Sequence, residues 1–331
     1  MLKVNFSNLN KNINFEDSYQ IFCQIADGKL SDSEIKEVLL QINKIGISEN
    51  LLLGAVKSFN ERSKKIHISG DIFDVCGTGG DNLNTLNIST AVSFVVASLG
   101  LKTAKHGNKS VSSKSGSADI FAQMRISMLK EADKIIDSIE RFNLAFIFAP
   151  FFHPSFKNVA KARSELGIKT IFNYLGPLLN PVNPNYQLIG CSNYQISYIM
   201  AKVCQKLDKK RVMIVHSFDG MDEISISDKT LLLDIKNKSF DEKIISPIDL
   251  GISISKIEDI KGKDPEYNYH RMLELFSGKK DAYYDIVTIN AAYVLFLSGK
   301  FGDIFNCLSE VNKSFEQKLS LKLLNKIKNG S

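Results

Sequence analysis

From residue 72 onward the chain alternates short apolar runs with longer amphipathic ones, and this rhythm restricts its fold more than any other feature. Residues 72–75, 102–104, 145–148 and 212–215 read as strands, and residues 89–99, 132–142 and 195–207 read as the helices between them. Strands linked through helices run parallel, and the helices must cover both faces of the sheet. The expected class is therefore α/β with a mostly parallel sheet. Ligands of such sheets bind beyond the carboxyl ends of the strands. The segments that follow residues 75, 104 and 215 should gather on one rim.

The first segment reads differently, as helix throughout. One helix is expected over residues 15–26, ended by Gly28. A second opens with Ser31 and Glu34, a capping-box pair in which each side chain satisfies a free backbone N–H of the first turn. Its apolar residues Ile35, Val38, Leu39, Ile42 and Ile45 recur at helical spacing, and Gly46 ends it. A third carries Leu51, Leu52, Ala55, Val56 and Phe59. Three short helices are too few for a core of their own, so this segment should pack on another part of the chain.

Composition narrows the function classes. Hydrophobic residues make up 44% of the 331 residues and charged residues 24%, values that permit a proper globular core. The first residues lack the apolar stretch of a signal peptide. The longest apolar run, near residues 91–99, contains Ser93 and Ser98 and is too short to span a bilayer. Cys23, Cys76, Cys191, Cys204 and Cys307 lie too far apart in sequence for a metal clip or redox pair, and read as reduced thiols of a cytoplasmic protein. The formal charge of +6 suits an anionic ligand and equally permits nucleic acid, and part of it is a basic tail from Lys313 to Lys328.

Four constellations carry chemistry. The first is Asp74-Val75-Cys76-Gly77-Thr78-Gly79-Gly80-Asp81, followed by Asn87-Ile88-Ser89-Thr90. Glycines let backbone N–H groups approach a phosphate closely, and a helix start at Ser89 and Thr90 would add free amides and a positive dipole end. The spacing fits neither the dinucleotide fingerprint nor the Lys-Ser/Thr phosphate loop. The second, from Lys105-His106-Gly107-Asn108-Lys109 through Ser110, Val111, Ser112 and Ser113 to Ser115 and Ser117, is rich in donors for phosphate oxygens. The third is Asp219-Gly220-Met221-Asp222-Glu223, whose adjacent carboxylates suit Mg²⁺ shared with substrate phosphates. The fourth is Arg163, a single arginine in a helical stretch. Taken singly, each has an ordinary structural explanation as a tight turn, a surface loop or a solvated charge; taken together they favour a phosphorylated, pyrophosphate-bearing substrate.

Together these residues resemble the anthranilate phosphoribosyltransferase family over most of the chain. The resemblance runs through the glycine turn at residues 77–81, Asn87 to Thr90, Lys105 to Asn108, Phe148-Ala149-Pro150 with His153-Pro154, Phe172-Asn173 with Leu175-Gly176-Pro177, and Asp222-Glu223, in matching order and spacing. The family usually has Arg-Ala where this chain has Lys109-Ser110, so one phosphate contact keeps its charge but loses a planar fork. The resemblance implies a small helical domain over residues 1–68, joined by helices near 163–185, and an α/β domain over 69–331 that binds phosphoribosyl pyrophosphate. It further implies a hinge between them and a homodimer formed through the helical domain.

It also implies residue roles. Gly77, Gly80, Asp81, Thr85, Asn87, Ile88, Ser89, Thr90, residues 105–113 and Ser117 would hold phosphoribosyl pyrophosphate. Gly77, Asn108 and Arg163 would hold anthranilate, with Arg163 on its carboxylate. Ser89, Asp222 and Glu223 would hold Mg²⁺. No residue is expected as a general acid or base. Neither nucleic acid nor a membrane is an expected partner. Two rival readings are a pyrimidine nucleoside phosphorylase, which has similar glycine and lysine loops but no need of the acidic pair, and a non-catalytic relative that binds nucleic acid through its positive surface.

Overall fold

The computed structural model describes residues 9–109 and 115–330. Three helices come first: α1 (Phe15–Ala26), α2 (Asp32–Ile45) and α3 (Glu49–Glu61). The α/β part follows, with β1 (Phe73–Gly77), α4 (Ile88–Ser98), β2 (Thr103–Gly107), α5 (Ser117–Gln123), α6 (Ala132–Phe142), β3 (Leu144–Phe148), α7 (Ala149–Phe152) and α8 (Lys157–Leu166). It continues through β4 (Tyr186–Gly190), α9 (Tyr194–Gln205), β5 (Arg211–Ser217), β6 (Thr230–Lys236) and β7 (Ser239–Ile245), and closes with α10 (Pro265–Phe276), α11 (Ala282–Ser298), α12 (Ile304–Glu316) and α13 (Leu319–Gly330).

Seven strands form one sheet in the order β3-β2-β1-β4-β5-β6-β7. The pairs from β3 to β5 are parallel, and β6 and β7 add an antiparallel ribbon at the edge. The mostly parallel expectation holds, and β4, β6 and β7 are the strands that the sequence pattern did not place. On the outermost strand Asp241, Glu242 and Lys243 are exposed, and such charges discourage pairing with another chain.

Period-2 alternation on the strands divides the core. On β5, Met213 and Val215 pack with the α4 and α11 residues, whereas Val212 and Ile214 face the opposite cluster. That second cluster is continuous with the helical segment: Phe22, Leu39, Leu52 and Phe59 join Val159, Phe172, Ile189 and Val203 in one buried set. The first three helices thus bury their apolar stripes against α8, α9 and the 171–179 segment, as their small size required. Their ends follow from local chemistry. Asn14 caps α1, Ser48 caps α3, and Ser31 with Glu34 forms the capping box of α2.

Two boundaries differ from expectation in a way that matters to the site. The first strand runs on into Gly77, and the second extends through Lys105 and His106 to Gly107. Lys105 and His106 are therefore strand residues, 2% and 5% exposed, and not members of a surface loop. A lysine and a histidine interrupt the apolar run, which is why the sequence pattern ends the strand too early.

Candidate active site

A cavity of about 810 Å³ opens at the carboxyl ends of β1 and β2. Its wall includes Gly77, Gly80, Asp81, Thr85, Asn87, Ile88, Ser89, Lys105, His106, Gly107, Asn108, Lys109, Ser117, Arg163, Asp222 and Glu223. Thr90 lies just behind the wall, buried, with a hydroxyl that has no hydrogen-bond partner among the described residues. Ser110, Val111, Ser112 and Ser113 lie outside the described residues.

The glycine turn is shaped by the acidic loop. The Gly79 amide donates to Asp222 Oδ2 at 2.7 Å. A Cβ on Gly77 would lie 2.1 Å from that same oxygen, and one on Gly190 would lie 1.5 Å from the Asp222 carbonyl oxygen. Gly79 and Gly80 have φ of 67° and 74°, a region that other residues enter at a cost. Glycine is thus required here for two reasons, backbone conformation and close approach.

The electrostatics of the acidic pair follow from crowding. Burial pushes the Asp222 carboxyl up to about 7, and the neighbouring Asp81 carboxylate adds to this, while the Gly79 amide opposes it. Glu223 is also pushed well above the usual carboxylate range, by burial and by Asp222, with Lys105 and the Ser89 amide partly offsetting. Both residues are half-buried. Asp219, the third acid of this loop, is consumed structurally: it accepts from the Ser225 and Ser227 hydroxyls and from the Met221 amide. Among the described residues no three His, Cys, Asp or Glu side chains form a metal cage. Two adjacent carboxylates short of positive charge fit the usual way of holding Mg²⁺, in which one or two carboxylates act with substrate phosphates.

Helix α4 starts at this wall without a side-chain cap, although its N-cap residue Asn87 is of a capping type. Its first turn carries no acidic residue. The Ile88 amide donates to the Leu86 carbonyl at 2.8 Å, but the Ser89 and Thr90 amides receive no cap from Asn87, and with the positive end of the helix dipole they form an arrangement that favours an anion.

On the opposite wall Arg163 makes no ion pair among the described residues and lies over the Phe172 ring, 5.5 Å from its centroid. Burial lowers its pKa, but a guanidinium remains charged throughout the physiological range. It is suited to a planar carboxylate with an aromatic ring alongside.

Lys169, Gln187 and Asn290 went unread in the sequence, while Asp74 and His106 were read but not their partners. The Lys169 ammonium donates to the Gly80 carbonyl, and the Lys169 carbonyl accepts from Asn43 of α2 at 2.8 Å. Lys169 thereby ties the helical layer to the glycine turn across the cavity that it also lines. Asp74, fully buried, accepts from the His106 amide and from Gln187 Nε2. Asn290 of α11 accepts from the Ile224 amide and donates to the Ile224 carbonyl, fixing the backbone just past Glu223. His106 donates through Nδ1 to the Gly176 carbonyl at 3.1 Å, which leaves Nε2 an acceptor without a partner among the described residues. Neither Lys169 nor the buried Asn290 carries a local motif in the sequence.

Fold and site together define an α/β transferase built for an anionic substrate, and residues 69–317 match the glycosyl transferase family, a/b domain. More narrowly, the chain belongs to the anthranilate phosphoribosyltransferases. It is 35% identical over 318 residues to the anthranilate phosphoribosyltransferase of Thermoanaerobacter sp. (strain X514), covering 96% of this chain and 94% of that one. The crystal structure of that enzyme from Thermus thermophilus superposes with a TM-score of 0.91 at 25% identity, covering 98% and 97% of the two chains. The Saccharomyces cerevisiae enzyme, in complex with PRPP and Mg, gives 0.85 at 25% identity over 94% of this chain and 90% of that one.

Proposed function

We propose that the protein transfers the 5-phosphoribosyl group of 5-phosphoribosyl 1-pyrophosphate to the amine of anthranilate, giving N-(5-phosphoribosyl)anthranilate and pyrophosphate, a step of tryptophan biosynthesis. The observation that carries this reading is the meeting of the Asp222-Glu223 pair, the uncapped start of α4 and the Arg163 guanidinium on one cavity.

The aromatic amine of anthranilate is weakly basic and needs little deprotonation before attack. The harder task is to stabilise the departing pyrophosphate as the anomeric carbon gains oxocarbenium character. Donors fixed in advance do this with little reorganisation. The uncapped Ser89 and Thr90 amides of α4 supply such donors, and Lys105 and Lys169 supply positive charge nearby. Ser89, Asp222 and Glu223 would hold Mg²⁺. When bound, the metal neutralises charge developing on the leaving pyrophosphate. Residues 105–113 and Ser117 hold the sugar phosphate. Arg163 grips the anthranilate carboxylate from the α8 side, with Asn108 and Gly77 orienting the ring.

Arg163 faces the donor residues from the opposite wall, so closing the cavity would bring acceptor to donor and exclude water. We assign residues 1–68, joined by the helices near 163–185, as the small domain that moves against residues 69–331. Among the described residues no helix is long and apolar enough to cross a membrane, and we place the enzyme in the cytoplasm as a homodimer joined through its helical domain.

The test is an assay of anthranilate fluorescence with phosphoribosyl pyrophosphate and Mg²⁺. Loss of anthranilate signal that depends on all three components is expected, and a constant signal at saturation overturns the reading. Incubation with thymidine or uridine plus phosphate should give no nucleoside cleavage, because the acidic pair has no part in that reaction.

A further inference from the structure

The start of α4 is anion-ready because a residue from far along the chain prevents it from capping itself. Asn87 stands at the N-cap, where an asparagine oxygen ordinarily accepts from the amide two or three residues on. Here it does not. Its Oδ1 accepts from Asn268 Nδ2 at 3.0 Å, and its Nδ2 donates to the Ser115 carbonyl at 3.1 Å. The backbone carbonyl of Asn87 accepts from the Tyr283 hydroxyl at 3.2 Å. Both ends of the Asn87 amide are thus committed away from its own helix.

Asn268 lies on α10, is 2% exposed, and is itself fixed, because its Oδ1 accepts from the Lys263 amide at 2.8 Å. The cost of leaving a buried amide unpaired holds such a network in one arrangement. The contrast is with the other described helices that carry Ser, Asn or Asp at the N-cap. Side chains of capping residues satisfy first-turn amides at α1, α2, α3, α9, α10, α11 and α12.

We propose that Asn268 is a positioning residue for the donor: by holding the Asn87 side chain, it keeps the Ser89 and Thr90 amides of α4 uncapped and open to the pyrophosphate of the substrate. Without Asn268, the Asn87 oxygen turns inward, caps the helix and competes with the ligand for the same N–H groups. The inference rests on the donor reading given above.

Inorganic pyrophosphate with Mg²⁺ is the probe, titrated calorimetrically into the full-length protein. Asn268→Asp keeps the acceptor for the Lys263 amide but removes the donor to Asn87; Asn268→Ala removes both. The expected result is roughly fivefold weaker pyrophosphate binding in both, corresponding to one capping interaction. The donor KM should rise by a similar factor, with the anthranilate KM unchanged. In an Asn87→Ala background, where no cap can form, Asn268→Asp should add nothing to the loss. Wild-type affinity in both single variants overturns the inference, as does an additive loss in the double variant. If Asn268→Ala fails to fold, Asn268→Asp decides. Failure of the wild-type protein itself to bind pyrophosphate would overturn the donor reading instead, so the two failures are distinguishable.

Discussion

Gly190, at the end of β4, meets Asp222 backbone to backbone: a Cβ added there would fall 1.5 Å from the Asp222 carbonyl oxygen. No flexible side-chain end is involved, so the acidic loop itself would have to move. Gly190→Ala should therefore displace the metal-binding pair. Overpacking of this kind costs about 1–3 kcal/mol, which the fold can survive and a metal site cannot. We expect a folded protein whose activity needs far more Mg²⁺, with turnover down by about a hundredfold. Circular dichroism together with an Mg²⁺ titration of activity checks this, and an unaltered titration in the folded variant would refute it.

This contact shows where sequence reading stops. The glycine turn, the Lys105 segment and the Asp222-Glu223 pair were legible because each is a run of neighbouring residues with its own chemistry. Gly190, Asn268 and Asn290 act only through partners far away in the chain. Asn268 meets Asn87 across 181 positions and Asn290 meets Ile224 across 66. A lone buried asparagine in a helix carries no local pattern, so the stretch after Lys229 offers no motif to a reader of the sequence although it fixes both halves of the site. The start of α2, by contrast, was readable to the residue, since the Ser31 and Glu34 capping box is a purely local interaction.

Arg163→Ala should weaken use of anthranilate and leave the donor alone. The guanidinium has no carboxylate partner among the described residues and stacks on Phe172, so its removal leaves no buried countercharge behind. A hydrogen bond to a charged group contributes about 1.5–3 kcal/mol, and each 1.4 kcal/mol or so is tenfold. The anthranilate KM should therefore rise by about tenfold to a hundredfold. Steady-state kinetics with each substrate varied in turn would show it, and an unchanged anthranilate KM with unchanged kcat would remove Arg163 from the acceptor site.

Lys169→Met should loosen the glycine turn from the helical layer. Its ammonium reaches the Gly80 carbonyl while its own carbonyl is held by Asn43. Loss of one charge-assisted bond predicts a donor KM higher by about tenfold. Lys169→Arg retains a long cationic donor and should recover most of the affinity. Equal donor KM values in wild type and Lys169→Met would show that this bridge is incidental.

The paired histidines beneath the cavity predict how stability responds to acid. His106 and His153 stack edge to face with ring centroids 5.3 Å apart. Burial lowers His106 to about 4, and the adjacent Lys105 charge adds to this. Burial lowers His153 to about 3, with His106 and Lys65 contributing and the Leu179 carbonyl opposing. Both rings are thus neutral in the folded protein at pH 5, whereas in the unfolded chain they bind protons below pH 6.5 or so. Where the unfolded state holds more protons, stability falls as pH falls. The loss begins near pH 6.5 and continues until the folded values are reached at about 4 and 3. Between pH 7 and 5 each ring should account for about 2 kcal/mol. The raised carboxyls of Asp222 and Glu223 act in the opposite sense, since they take up protons in the folded state, so the measurement must be a difference between variants. His153→Asn should lose less stability than wild type between pH 7 and 5, by about 2 kcal/mol in urea denaturation. Parallel losses in the two proteins would mean that His153 is not held neutral by the fold.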